Sequence, residues 1–441
     1  MFPGFNNSPS NYKLYKFMSA RVKSTRSVFV IIHRYIGLIT AIFLIIAGIT
    51  GSIITFYDEL DSYINHSIFF VLKQDKLLID PLALRNKLLL DYPNAKIHYV
   101  DLEVKHGKTI KVYLDPKSDL DRFLPNDELY ANPYTGDVVG ARLWGDVSQG
   151  LKNLMPFIFR LHYSLALKGL GIIFFGIIAL LWTIDCFIGA YLTFPSKHKS
   201  VTSHKLSDWK SRWVKSWTIR WHAGYYKKLF DLHRAGGLWL WSMVFIFAWS
   251  SVGFNLQTVY SPVMRTVFTF NDADSRLPKA SPSSSPPIDF IQAREYGREL
   301  AKQAELKYHF KVLNETSINY NQNDGVYRYI VKTSNDDNSK SGRTRFYIDA
   351  HSGVLRHLET PSLEKSGDIV TNWLSWIHTA HVFGLPMKLF VMFMGISITT
   401  LSITGVCIWY KKFKARKFSD KRLKVAKLNQ VKTTNNKTSN Q

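Results

Sequence analysis

His33-Arg34-Tyr35-Ile36-Gly37 opens a long apolar run, 28–56, and His233-Arg234-Ala235-Gly236-Gly237 opens another, 232–254. Ionisable side chains are costly in a bilayer, so a histidine at the head of a membrane-length run reads first as a functional site with a partner. The pattern His-Arg-x-x-Gly at the same place in two runs points to that partner. One run supplies one ligand, and its repeat supplies the other.

Two further runs, 170–194 and 387–410, are as long and as poor in charge. Crossing ~30 Å of hydrocarbon takes ~20 helical residues, so all four qualify as spans. A mean hydropathy of −0.08 averages these runs with two polar inserts. The expected fold is membrane α-helical: a four-helix transmembrane bundle with two α+β domains outside the bilayer. The first run is too long for the apolar core of a signal peptide and reads as an uncleaved anchor.

Lysine and arginine beside the spans set the orientation. They crowd the N-terminal tail (Lys13, Lys16, Arg21, Lys23, Arg26), the loop after the second span (Lys197 to Lys228) and the C-terminal tail (Lys411 to Lys424). The first insert opens acidic, with Asp58, Glu59 and Asp61. Both termini are therefore expected in the cytoplasm and both inserts outside. The expected order is a basic tail 1–27, a first span 28–57 and an outer domain 58–155. An interfacial helix and second span follow at 156–194, then a basic loop 195–228 and a third span 229–258. A second outer domain 259–370, an interfacial helix with the fourth span 371–411, and a tail 412–441 complete the chain. The net charge of +24 reflects this topology and attraction to anionic lipid. It does not describe a nucleic-acid surface, because the basic residues flank spans.

The chain reads as a duplicated unit of span, insert, span. Asn132-Pro133-Tyr134-Thr135-Gly136-Asp137 in the first insert matches Asp349-Ala350-His351-Ser352-Gly353-Val354 in the second. Leu161-His162 ahead of the second span matches Ile377-His378 ahead of the fourth. In each insert a helical stretch (81–92, 288–305) precedes alternating ones such as 110–114 and 327–331, and a linker at 281–287 leads into the second helix. The turn at Asn132–Asp137 needs positive φ at Gly136.

Topology sorts the histidines by depth: His33 and His233 near the cytoplasmic face, His162 and His378 near the outer face. Two axial imidazoles suit haem iron, each with its second nitrogen held by a neighbour. A b-type haem needs no cysteine, and the two present, Cys186 and Cys407, lie inside spans and form no Cys-x-x-Cys-His motif. Two haem b groups are therefore the expected cofactors, with Arg34 and Arg234 as propionate partners and Gly37, Gly236 and Gly237 leaving room for a flat macrocycle. Two imidazoles without carboxylate or thiolate make a poor zinc or non-haem iron site. The plain alternative is that each His-Arg pair is an interfacial anchor. His381 follows His378 by three residues and competes with it as outer ligand. Asp185, inside the second span, is expected to hold an inner histidine, to take a proton beside a quinol, or to pair with Arg34 or Arg234. The basic, tryptophan-rich stretch 209–229 reads as an amphipathic segment on the inner leaflet or as a docking face for an acidic donor. His222 within it is not expected to bind haem. Trp182, Trp239, Trp241 and Trp249 would suit a haem-lined interior, but aromatic belts and lipid contact explain most such residues, and they are assigned no role.

Taken in order, His33-Arg34-x-x-Gly37, Asn132-Pro133-Tyr134-Thr135-Gly136, Leu161-His162, Asp231-Leu232-His233-Arg234, and Ile377-His378 with Phe383-Gly384-Leu385-Pro386 resemble the PepSY-associated transmembrane family. The resemblance covers nearly the whole chain apart from its tails, and includes FoxB-like and PiuB-like members associated with iron uptake. It implies two PepSY-like periplasmic domains and a haem protein of the inner membrane that reduces ferric siderophores. By this likeness His33, His162, His233 and His378 are the haem ligands. The expected activity is a haem-dependent oxidoreductase, a ferric-siderophore reductase. With no nucleotide or flavin fingerprint in the chain, its electrons come from quinol or a cytoplasmic flavoprotein. The alternatives are a membrane cytochrome serving another periplasmic acceptor, and a haem-free scaffold whose outer domains bind a protease or a peptide.

Overall fold

The apolar runs form helices, though not all of them unbroken. The computed structural model describes residues 25–117, 124–195, 206–271, 287–336 and 342–438. Its main helices are α1 (Thr25–Ile54), α2 (Pro81–Asp91), α3 (Leu154–Ser164), α4 (Lys168–Thr193), α5 (Tyr225–Trp239), α6 (Trp241–Asn255), α7 (Phe290–Tyr308), α8 (Ser366–Thr379) and α9 (Gly384–Thr438). The basic positions Lys13, Lys16, Arg21, Lys23, Lys197, Lys199 and Lys205, and the linker at 281–286, lie outside the described residues.

Among the described residues three helices are long and apolar enough to cross a membrane: α1, α4 and the first part of α9, Gly384–Ser419. The third run departs from expectation. It is not one helix but α5 and α6, bent by 70° at Leu240. Leu240 takes φ −97°, ψ 3°, outside helical geometry, and the preceding Gly236-Gly237 pair weakens the helix where it turns. The protein is thus a helical membrane protein with three candidate spans, or four if the bent pair counts as one.

Chain contacts divide the protein into two compact units, one of 1–42, 181–242 and 401–441, the other of 43–180 and 243–400. In the first, Arg26 donates to the carbonyls of Phe194 (2.8 Å) and Leu192 (2.7 Å), satisfying acceptors left free at the end of α4. Trp209, Trp213 and Phe194 stack with ring centres 5.2–5.8 Å apart. Asp231, fully buried, is held by Arg220 through Nε (2.7 Å) and Nη2 (2.9 Å).

The second unit holds both inserts. Its strands are β1 (Ala95–Lys96), β2 (Tyr99–Asp101), β3 (Ile110–Tyr113), β4 (Asp115–Pro116), β5 (Glu128–Ala131), β6 (Val138–Arg142), β7 (Val312–Asn321), β8 (Val326–Thr333), β9 (Thr344–Asp349) and β10 (Leu355–Glu359). They form a β1-β4 pair, a sheet ordered β3-β5-β6, and a five-stranded sheet ordered β10-β9-β8-β7-β2. Helices and sheets occur in both inserts, yet the inserts are not independent of each other. β2 of the first pairs antiparallel with β7 of the second, setting Val100 opposite Ile318. Leu84, Leu88 and Leu129 of the first share one core with Ala293, Ile318 and Phe346 of the second. Small sheets bury too little alone, and merging them removes an exposed edge.

The repeat persists in hydrogen bonds. Gly136 and Gly353 take φ +74° and +72°, as the tight turns require. Ile79 N–H donates to the Pro133 carbonyl and Ile288 N–H to that of Ala350, both at 2.8 Å, so each turn is tied to the segment entering its helix. Asp80 caps α2 and Asp289 caps α7.

Candidate functional site

Two histidine pairs stand out, one in each unit. In the first unit, His33 of α1 and His233 of α5 have ring centres 6.2 Å apart. In the second, His162 of α3 and His378 of α8 have ring centres 6.5 Å apart. A metal ion bound trans between two imidazoles fixes this quantity. With roughly 2.0 Å from metal to nitrogen, and about 1.1 Å from nitrogen to ring centre, the centres would stand about 6.2 Å apart. Both pairs match.

The neighbours of each ring fix its tautomer. His33 Nδ1 lies 2.8 Å from Asp185 Oδ1, and a carboxylate only accepts, so Nδ1 carries the proton. His233 Nδ1 lies 3.0 Å from the Leu401 carbonyl, with the same consequence, and 3.1 Å from Thr404 Oγ1. His162 Nδ1 meets Thr50 Oγ1 at 3.0 Å. That hydroxyl already donates to the Ile46 carbonyl at 2.7 Å, so it accepts from the histidine. His378 Nδ1 meets Ser250 Oγ at 2.7 Å, and Ser250 likewise donates to Ile246 at 2.7 Å. All four rings therefore protonate Nδ1 and leave Nε2 with its lone pair. Among the described residues no hydrogen-bond partner is recorded for any of the four Nε2 atoms. This is the arrangement that metal-binding histidines need.

Backbone approaches the rings where side chains are missing. A Cβ on Gly51 would lie 3.0 Å from His162 Cε1, one on Gly405 3.2 Å from His233 Cε1, and one on Gly189 3.5 Å from His33 Cε1. Phe247 and Phe254 flank His378, with ring centres 4.8 and 5.2 Å away. Helices α3 and α8 end alike, on left-handed residues, Leu165 (φ 52°) and Ala380 (φ 55°).

These partners follow the duplication closely. His33 and His233 are 200 positions apart, as are Thr50 and Ser250 (250 − 50). His162 and His378 are 216 apart, as are Asp185 and Leu401 (401 − 185) and Gly189 and Gly405 (405 − 189). Sequence reading named the histidines but missed Thr50, Ser250, Leu401, Thr404, Gly51, Gly189 and Gly405. The constant offsets were the available signal.

The remaining candidates separate. Asp185 is a partner of His33, one of the roles expected for it. His381 does not share a helix face with His378, because α8 ends at Thr379 and the chain turns at Ala380. It is exposed, with Nδ1 2.6 Å from Thr379 Oγ1, and it is His378 that faces His162. Arg234 is engaged by Asp231 Oδ1 (3.1 Å) and the Lys215 carbonyl (2.7 Å), with its Nε buried and unpartnered. Arg34 has no recorded ion-pair partner among the described residues. Gly37 lies against Asp185 and Gly236 against Leu401, whereas Gly237 touches nothing within 4 Å.

Among the described residues no group of three or more His, Cys, Asp or Glu could hold a metal ion. Each pair offers two imidazoles, so an ion held there would need further ligands of its own, which an iron porphyrin carries. The residues present fit that group.

No curated protein matches this chain. The family model of the PepSY-associated TM region matches residues 30–412, a stretch that contains both histidine pairs and both inserts. The chain belongs to the PepSY-associated TM region family.

Proposed function

We propose that this protein is a di-haem b cytochrome of the bacterial inner membrane that carries electrons outward to reduce a ferric siderophore. The observation that carries the reading is the pair of imidazole couples, with ring centres 6.2 and 6.5 Å apart and every Nδ1 proton already committed. An interfacial anchor would need neither feature.

In this reading His33 and His233 hold one iron through Nε2, and His162 and His378 hold the other. Haem b supplies a one-electron ferric/ferrous couple at each place. The chain does the rest. Asp185, Leu401, Thr50 and Ser250 hold the four rings in one tautomer. Gly51, Gly189 and Gly405 let backbone lie against them, and Arg34 remains to meet a propionate. By the charge pattern of the tails and loop, His33 and His233 lie toward the cytoplasm, where quinol or a reduced flavoprotein delivers electrons. The other pair lies toward the periplasm. Ferric iron held by hard oxygen donors gains one electron there, and the ferrous product is held less tightly by the chelator.

The test begins with the absorption spectrum of the purified protein, expected to carry b-type Soret and α bands at two haems per chain. Their absence would reject the reading in favour of a scaffold. His33→Ala or His233→Ala should remove one haem, and His162→Ala or His378→Ala the other. Ferric siderophore added to the reduced protein should reoxidise it. Failure to do so assigns the electrons to another periplasmic acceptor.

A further inference from the structure

The duplication breaks at one place that matters to an electron. Three of the four histidines give their Nδ1 proton to a neutral oxygen: the Leu401 carbonyl, the Thr50 hydroxyl and the Ser250 hydroxyl. The fourth, His33, gives it to the Asp185 carboxylate at 2.8 Å. Leu401 occupies the position in its repeat that Asp185 occupies in the other, so the carboxylate is an asymmetry between equivalent positions. Its side chain is 10% exposed, and among the described residues His33 is its only recorded ion-pair partner.

An N–H donated to a carboxylate gives the imidazole more electron density than one donated to a neutral oxygen, because the negative charge draws the proton toward itself. A more basic ligand stabilises the higher positive charge of ferric iron over ferrous. The Asp185 side chain is 10% exposed, so its charge is screened less than it would be in bulk solvent. The His162–His378 pair, with a neutral hydroxyl on each ring, has no such bias.

We infer that Asp185 is a positioning residue that sets the direction of electron flow, making the His33–His233 centre the lower-potential of the two. The inference rests on the haem reading above. Quinol or reduced flavin would give up its two electrons one at a time, with its two protons released to solvent, and each electron would enter at the His33–His233 centre. Passing it outward would return that centre from ferrous to ferric and take the other from ferric to ferrous, a downhill transfer.

The test is a spectroscopic redox titration of the full-length protein. The wild type should titrate in two separate steps. Asp185→Asn retains an oxygen to accept the His33 proton and removes the charge. It should raise the lower step by at least tenfold in electron affinity, 59 mV for a one-electron couple, and leave the upper step in place. Two coincident steps in the wild type, an unmoved lower step, or movement of the upper step alone overturns the inference. A second variant is independent of how Asp185→Asn folds: His378→Ala keeps only the His33–His233 centre, which should titrate at the lower wild-type value. A value at the upper step overturns the inference. A wild-type protein without Soret absorption rejects the haem reading itself, a distinct outcome.

Discussion

Thr50 Oγ1 lies 3.0 Å from His162 Nδ1 while donating its own proton to the Ile46 carbonyl at 2.7 Å, and Ser250 does the same for His378. Each hydroxyl is a relay that anchors an imidazole from one segment to the helix backbone of another. The histidine is thereby held in the tautomer that leaves Nε2 free.

Removing either hydroxyl strands a buried N–H, at a cost of about 1–3 kcal/mol. Thr50→Val preserves the shape and should lower haem affinity at the His162–His378 site about 10–100-fold, read by titrating haem into protein stripped of it. Ser250→Ala should do likewise, and Thr50→Ser should stay near wild type. Equal affinity in Thr50→Val would show that the hydroxyl does not orient the ring.

His381 serves as the internal control for His378. It is exposed and sits outside α8, so His381→Ala should leave both b-type signals intact. His378→Ala should lose one. The reverse pattern in haem content per chain would transfer the ligand role to His381.

Arg142 is fully buried between Asp61 and Glu128, with Nη2 2.9 Å from Asp61 Oδ2 and Nε 2.7 Å from Glu128 Oε2. Arg142→Met leaves buried Asp61 without its cation and Glu128 with only Lys111 at 3.7 Å, and should cost about 3–5 kcal/mol. Denaturant unfolding in detergent should report the loss. Adding Asp61→Asn and Glu128→Gln should recover most of it, since the cost lies in the stranded charges.

Glu315 makes the stability of the inserts depend on pH. Burial acts to raise its carboxyl, but hydrogen bonds from Arg298, Arg294 and Tyr329 outweigh that and hold it at about 2, against 4.5 for the free group. The folded state thus binds this proton less readily than the unfolded state. Its contribution is complete above pH 4.5 and is lost as pH falls toward 2. Thermal unfolding followed by circular dichroism should show this loss in wild type. Glu315→Gln should start less stable and flatten across the same range.

Much of this protein was legible before its structure. Apolar length marked the spans, because a bilayer demands a fixed number of helical residues. The repeated His-Arg-x-x-Gly and Leu-His or Ile-His motifs marked the four histidines, because ionisable groups are rare where hydrocarbon surrounds them. Gly136 and Gly353 marked the turns. The partners of those histidines were harder to see. Thr50, Ser250, Gly189 and Gly405 are of types common in membrane helices for packing alone, and Leu401 contributes only its carbonyl, which every residue has.

The amino-acid sequence alone determined that the chain meets a membrane, that it is duplicated, and which histidines are equivalent, since these depend on composition and periodicity along one strand of chain. Tertiary structure decided what depends on a second segment arriving. It put His33 beside His233 and His162 beside His378, and by ending α8 at Thr379 it left His381 exposed and off that helix. It also broke the third run at Leu240 and carried β2 of one insert into the sheet of the other. Strand pairing and ring-to-ring contact are set by which surfaces can be buried together, and no single stretch of sequence encodes both surfaces.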